Sequence, residues 1–375
     1  MPSEEEFAEA RAQFPVLDRT AYLNAGSTGP LSRATAEAIR TELDRNVLDG
    51  RSGAAYVERI FELRAELRRR IAALVSAAPE QVALTGSTTD ACNLVMGGLD
   101  LGPEDEVVTT SEEHFGLLGP VHASGARVVV VPPDPDRLVT AVTPKTRLLA
   151  VSHVLWTTGV VLAVRELRER GGVPILVDGA QSVGAIPVDA RGLDFLTVSG
   201  QKWLCGPDST GALVVQEPER LRVARPSYFS QESYESDGSF VPWPGARRFE
   251  AGWLAAGSLT GLRAALDGHP SWGYERAAAM AERCRDLLQA AGHDVVAPRE
   301  RATLVSWRVH DEDPADVVAR LAAAGVIVRS LPRTDLVRAS VGWWTSDKDL
   351  ERLLAALLAP VAGSHGAGWG ECDRR

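Results

Sequence analysis

The chain is poor in cysteine, and the little it has is scattered. Cys92, Cys205, Cys284 and Cys372 are the only four in 375 residues and form no C-x-x-C pair. That excludes a zinc ribbon, a dithiol redox motif and a disulfide-stapled scaffold. Long apolar runs are missing too: none approaches the roughly 18 residues of a membrane span. Basic charge is in deficit, with 40 Lys and Arg against 50 Asp and Glu and a net charge of −10. Nucleic acid and anionic membrane both attract cationic surfaces, so neither is expected as a partner. No G-x-G-x-x-G fingerprint is present, which leaves a dinucleotide site without support. The first residues, MPSEEEFAEARAQF, lack the basic and apolar regions of a secretion signal, and a cytoplasmic protein with reduced thiols is expected. No metal site is expected.

What is present is a chain that is 45% apolar, enough for a sizeable core and two lobes. Its organising stretch is Val173–Gly206, VPILVDGAQSVGAIPVDARGLDFLTVSGQKWLCG. It reads as an apolar strand over Val173–Val177 ending in Asp178, then a second over Phe195–Val198 ending in Ser199-Gly200-Gln201-Lys202. Short apolar runs bounded by Gly and Pro suit buried parallel strands. Such strands present their functional groups at their carboxyl ends, so Asp178 and Lys202 meet at one sheet edge. An amine and a carboxylate delivered together suit pyridoxal phosphate, the amine holding it covalently and the carboxylate pairing with its ring nitrogen. Taken singly, Asp178 also reads as a helix cap and Lys202 as a solvated loop cation.

The two blocks together, D-G-A-Q-S from Asp178 and S-G-Q-K-W-L-C-G-P from Ser199, closely resemble the cofactor-binding segments of the class V aminotransferase family. That family includes cysteine desulfurases, cystine C–S lyases, isopenicillin-N-epimerase-like proteins and serine–glyoxylate-type transaminases. The resemblance implies an α/β chain of fold-type I: a large domain with a mainly parallel seven-stranded sheet and a smaller C-terminal α+β domain. The expected division is residues 1–18 as a segment packing on the small domain, 19–259 as the cofactor-binding domain and 260–375 as the small domain. A homodimer is implied as well.

Other segments join by the same resemblance. Gly86-Ser87-Thr88-Thr89-Asp90 lies between a strand and a helix, where hydroxyls and free N–H groups make an anion site or simply cap the helix. The resemblance assigns Thr88 and Thr89 to the cofactor phosphate, with Ser199 adding a contact. His114, in Glu113-His114, would stack on the pyridine ring. His153, in S-H-V-L-W-T-T-G, and Gln181 would reach its phenolic side. Gln201 stands where desulfurases usually carry His, and is placed with the cofactor. Y-L-N-A-G-S-T-G-P puts Asn24, Gly26 and Ser27 at the substrate entrance, and Trp156 becomes a pocket wall. Arg338, in V-R-A-S, would fork the substrate α-carboxylate. In R-R-F-E-A-G the next residue is Trp253 where relatives commonly have the Thr that reaches the partner subunit's phosphate; Ser258 is a substitute candidate. Arg225–Pro244 reads as a long loop.

Desulfurases place a nucleophilic cysteine between V-R-x-G and R-x-S. The equivalent segment here, Val328–Leu336, has none. The sequence reading therefore sets desulfurase chemistry aside. It expects a pyridoxal phosphate enzyme acting on an amino acid, as a C–S lyase on cysteine or a cysteine S-conjugate, with an aminotransferase or an epimerase as alternatives. Lys202, Asp178 and His114 carry the chemistry. Since Trp343 and Trp344 follow Arg338 and no cation does, a bulky, less acidic substrate tail is expected.

Overall fold

The computed structural model describes residues 1–359; the tail GSHGAGWGECDRR with Cys372 lies outside the described residues. Seven runs rich in Val, Leu and Ala form one sheet: β1 (Val82–Thr85), β2 (Glu106–Thr110), β3 (Arg127–Val131), β4 (Thr146–Ser152), β5 (Ile175–Asp178), β6 (Phe195–Ser199) and β7 (Gly211–Val215). Their order is β1-β7-β6-β5-β4-β2-β3. Neighbours from β6 to β3 pair in parallel, and β7 runs antiparallel between β6 and β1. Central strands buried on both faces are apolar throughout because helices cover both sides. Leu63, Leu67 and Ile71 of helix Ala54–Leu74 pack on one face, and Ala91, Leu94 and Val95 of helix Thr88–Leu99 on the other.

Register brings the polar strand ends together. Ser152 pairs with Asp178 across β4–β5, and Asp178 with Thr197 across β5–β6. Ser152 and Asp178 end their strands, with Thr197 two residues from the end of β6, at one edge where a ligand crevice forms in open α/β sheets.

The second body is an antiparallel four-stranded sheet of β8 (Asp294–Val295), β9 (Leu304–Arg308), β10 (Arg329–Ser330) and β11 (Leu336–Ser340), in the order β8-β9-β11-β10. Helices Gly273–Ala290, Pro314–Ala323 and Asp347–Leu358 supply its apolar core. The N-terminal segment crosses to this body. Ala21–Tyr22 pairs with Val326–Ile327, and Asn24 bridges Ser340. Arg11 forks Asp349, and Phe14 packs on Trp343 and Trp344.

One local expectation changes and two elements are added. Arg225–Pro244 is not all loop, since Gln231–Tyr234 and Phe240–Pro242 close a hairpin. The run Val326–Leu331 is two short strands with different partners. Helix Ala256–Asp267, which the pattern does not flag, follows the R-R-F-E-A-G block. Among the described residues no helix is long and apolar enough to cross a membrane, and no cluster of metal-ligating side chains occurs.

Candidate active site

Asp178 ends β5 at 4% exposure. Its Oδ1 accepts the Ala180 N–H (2.9 Å) and the Thr197 hydroxyl (3.1 Å), so the carboxylate is oriented from behind. Lys202 follows β6 on a loop closed by Gly200 N–H to Thr210 O and Gly206 N–H to Gly200 O. Burial pushes the Lys202 ammonium down to about 8; Arg338 and Arg329 push the same way and Asp178 opposes them. An amine so placed is a nucleophile close to neutral pH. Gly29 lets the N-terminal segment lie on this loop: its N–H reaches Gln201 O, and a Cβ there would stand 2.1 Å from the Lys202 carbonyl oxygen.

On one side of the amine, helix Thr88–Leu99 begins directly after β1. Ser87 caps it, its Oγ accepting the Asp90 N–H at 3.0 Å. Thr88 and Thr89 occupy the first two helical positions, whose N–H groups have no intrahelical acceptor. Together with their hydroxyls they form an anion cup. The Ser199 hydroxyl donates to Gln201 Oε1 (3.0 Å), which fixes the Gln201 side chain beside Lys202. A cavity of about 170 Å³ is lined by Ser87, Thr88, Thr89, Ser199, Gln201 and Lys202 on this side, and by Asp178, Gln181, His114, Ser152 and Trp156 on the other. A half-buried amine, a buried oriented carboxylate and a helix-end anion cup around one cavity fit pyridoxal phosphate in donor set and charge.

His114 caps helix Phe115–Ala123, its Nδ1 accepting the Gly116 N–H at 3.0 Å. Burial and the nearby Lys202 lower its pKa, favouring the neutral ring. Trp156 stands edge-on to it, with centroids 5.2 Å apart and planes at 84°. Gln181 is spoken for twice, donating to Gly26 O (2.8 Å) and accepting from the Trp203 indole (3.0 Å); one amide hydrogen remains for a ligand. His153 is not among the residues lining the cavity. Ser152 takes the cavity side of the strand end and the next side chain points away. Burial presses His153 to about 4 and leaves its Nδ1 without a partner.

The sequence reading passed over Glu113. It lies buried with Oε1 on the Thr110 hydroxyl and Oε2 on the Ser152 N–H, and burial raises its pKa to about 7. It ties β2 to β4 beside Asp178, and the Glu-His pair was the only signal of it.

Arg338 is 1% exposed and meets no carboxylate among the described residues. Its Nη1 donates to the Trp156 carbonyl (2.6 Å), while its Nε and the neighbouring Ser340 Oγ are buried without partners. Burial, with Arg329 beside it, pushes its pKa down to about 9. Arg329 faces Arg338 across β10–β11; its Nη1 takes the Ser27 hydroxyl at 3.0 Å, and Ser27 donates to Asn24 Oδ1 at 2.9 Å. Asn24, Gly26 and Ser27 thus gather at the arginine pair, outside the cavity lining. Two adjacent guanidiniums with no counter-ion among the described residues make a site for anionic groups. Arg329 was missed because its position comes from cross-strand pairing.

Trp343 and Trp344 form no substrate wall. Both are buried in a cluster with Phe14 and Trp272. The bulky-tail expectation, which rested on them and on the lack of a second cation, is corrected by this burial and by Arg329. Trp253 is 60% exposed against Phe229 (4.7 Å), and Ser258 lies in helix Ala256–Asp267; neither lines the cavity. In the same block Glu250 is fully buried between Arg64 and Arg68.

Comparison with known proteins bears on this geometry. The family model described as Aminotransferase class-V matches residues 21–353. A probable cysteine desulfurase of Methanothermobacter thermautotrophicus is 29% identical, with 95% of this chain and 98% of the relative aligned. The isopenicillin N epimerase of Streptomyces clavuligerus is 27% identical, over 94% and 98%. Among solved structures, the cystine C–S lyase C-DES with its reaction product cysteine persulfide superposes with a TM-score of 0.85 at 29% identity, covering 92% of this chain and 99% of that one. A C-DES mutant with glycine covalently linked to its PLP cofactor gives 0.87 at 28%, covering 95% and 99%.

Proposed function

The chain belongs to the aminotransferase class-V family, and from that premise we propose that it is a C–S lyase that releases sulfur from a cysteine-derived amino acid by β-elimination. Its cofactor is pyridoxal 5′-phosphate, which when bound supplies an electron sink conjugated to the substrate's amino nitrogen. Lys202 would be the covalent anchor of the cofactor, and its free amine would take the proton from the substrate Cα. Asp178 holds the ring nitrogen protonated. Thr88, Thr89, Ser199 and Gln201 take the phosphate, and His114 covers the ring. Arg338 fixes the α-carboxylate and with it the orientation of the Cα bonds. The C–S bond then breaks with its electron pair leaving on sulfur, and the remaining three-carbon product hydrolyses to pyruvate and ammonia.

The observation that carries elimination over persulfide transfer is the segment Val328–Leu336, which borders the site with Arg329 and no thiol. The described cysteines are buried away from the cavity lining, and burial pushes Cys284 up to about 12 and Cys205 higher still. Arg329 also favours a substrate with a second anionic group, as in cystine. The rival reading is a cysteine desulfurase, and the relatives' names support it: the exclusion drawn from the missing cysteine finds no support in them. Holoenzyme supplied with L-cysteine, L-cystine and S-alkylcysteines separates the two. Pyruvate, ammonia and a free thiol or persulfide in equal amounts support elimination. Alanine with sulfur held on the protein assigns desulfurase chemistry. A keto acid with the cofactor converted to its amine form, and no sulfur released, assigns amino-group transfer.

A further inference from the structure

The cavity walls differ in how they are held. Asp178 is fixed by two donors, Gln181 is bonded at both ends, Ser199 is tied to Gln201, and His114 is bonded to Gly116. Trp156 is different. Its backbone carbonyl is held by Arg338, but its indole Nε1 is buried with no acceptor, so packing alone seats the side chain. The ring lines the cavity edge-on to His114, and the same residue's backbone carbonyl is held by the α-carboxylate anchor. The cavity, about 170 Å³, is smaller than the roughly 300–1,000 Å³ of ordinary ligand pockets, and the cofactor itself must fill it. A substrate's Cβ substituent therefore has to displace a wall, and among the polar lining side chains not assigned to the cofactor above, Trp156 is the one with no hydrogen bond to break.

We infer that Trp156 is the specificity wall of this site: its indole occupies the path of the substrate's Cβ substituent and admits tails that are narrow and unbranched next to Cβ, as the disulfide of cystine is, while refusing aromatic ones. The neighbouring residue keeps the backbone still while the side chain gives way. Thr157 is anchored twice, its hydroxyl on Glu112 (2.7 Å) and its carbonyl on the Ser306 hydroxyl (2.5 Å). The filter rests on the cofactor and the carboxylate anchor assigned above, but not on the C–S step.

The test is equilibrium binding of amino acids without a leaving group, alanine, norleucine and phenylalanine, to holoenzyme, read as the change in the bound cofactor's absorption spectrum. Wild type should bind norleucine more tightly than phenylalanine. Trp156→Ala should raise phenylalanine affinity relative to alanine by about tenfold or more, the scale on which apolar pockets discriminate. Trp156→Phe, which keeps an aromatic wall, should fall between and carries the test if the alanine variant fails to fold. An unchanged phenylalanine-to-alanine ratio in folded, cofactor-loaded variants overturns the specificity wall alone. No spectral response to any amino acid in wild type overturns the functional reading, and this inference with it.

Discussion

Lys202 has a pKa of about 8 against an ordinary lysine value of 10.5, because its ammonium is desolvated faster than Asp178 can compensate. Between those two values the unfolded chain binds a proton that the folded, cofactor-free chain does not, so stability should rise with pH across that window. Below pH 8 both states carry the proton, and the cost of burying the charge is present in full. Lys202→Met removes the group; the melting temperature of the cofactor-free variant should exceed wild type near pH 7 and converge on it towards pH 10. Parallel melting curves would contradict the shift. In the proposed mechanism Asp178 acts on the cofactor ring rather than on substrate binding. Asp178→Asn should therefore keep cofactor and KM while lowering kcat by about 10²–10³-fold, the usual cost of removing one preorganised electrostatic contact. A variant with wild-type kcat would take Asp178 out of the mechanism. Both residues were legible from sequence because each ends an apolar run, and such a run fixes where its last residue emerges.

Between elements, close backbone approach decides what the arginines can do. A Cβ at Gly26 would stand 2.7 Å from Arg338 Nη2 and 2.8 Å from Ser340 Oγ, so only glycine leaves the guanidinium its seat. Gly26→Ala should load cofactor normally but raise substrate KM about tenfold, close to the loss of one charge-assisted contact of ~1.5 kcal/mol. Unchanged KM would place the carboxylate elsewhere. The segment after β4 belongs to both bodies: Ala302 N–H reaches Gly159 O, Val161 N–H reaches Glu300 O, and Arg338 holds the Trp156 carbonyl. Its residues read from sequence as a strand end with a site histidine and a pocket tryptophan; Ser152 and Trp156 line the cavity, and His153 does not. Periodicity was visible there. Which phase faced the cavity was not.

At the scale of the molecule, a homodimer is the assembly we propose. Trp253, 60% exposed, and Tyr228, 61% exposed, flank an apolar cleft completed by Phe61 and Val57. Exposed aromatic surface of this kind is characteristic of a covered face. Sedimentation should give twice the monomer mass, and Trp253→Arg should shift the equilibrium towards monomer; a fully active wild-type monomer would refute the assembly.

The amino-acid sequence by itself determined the strands that end at Asp178 and Ser199, the helix that opens near Thr88, and the meeting of Asp178 with Lys202, while the seven-stranded sheet was expected from the family resemblance. The first three follow from local pattern: apolar runs that can only be buried strands, a Ser87 cap, and strand ends that share one edge. Tertiary structure alone decided the substrate side. Arg329 reaches Arg338 only through antiparallel pairing of β10 with β11, and Glu113 finds Ser152 only because β2 and β4 are neighbours. Trp343 and Trp344 looked available beside Arg338 but were drawn into the apolar cluster around Phe14, 329 and 330 positions away in the chain. Contacts of that separation depend on how two bodies pack, and no window of sequence contains them.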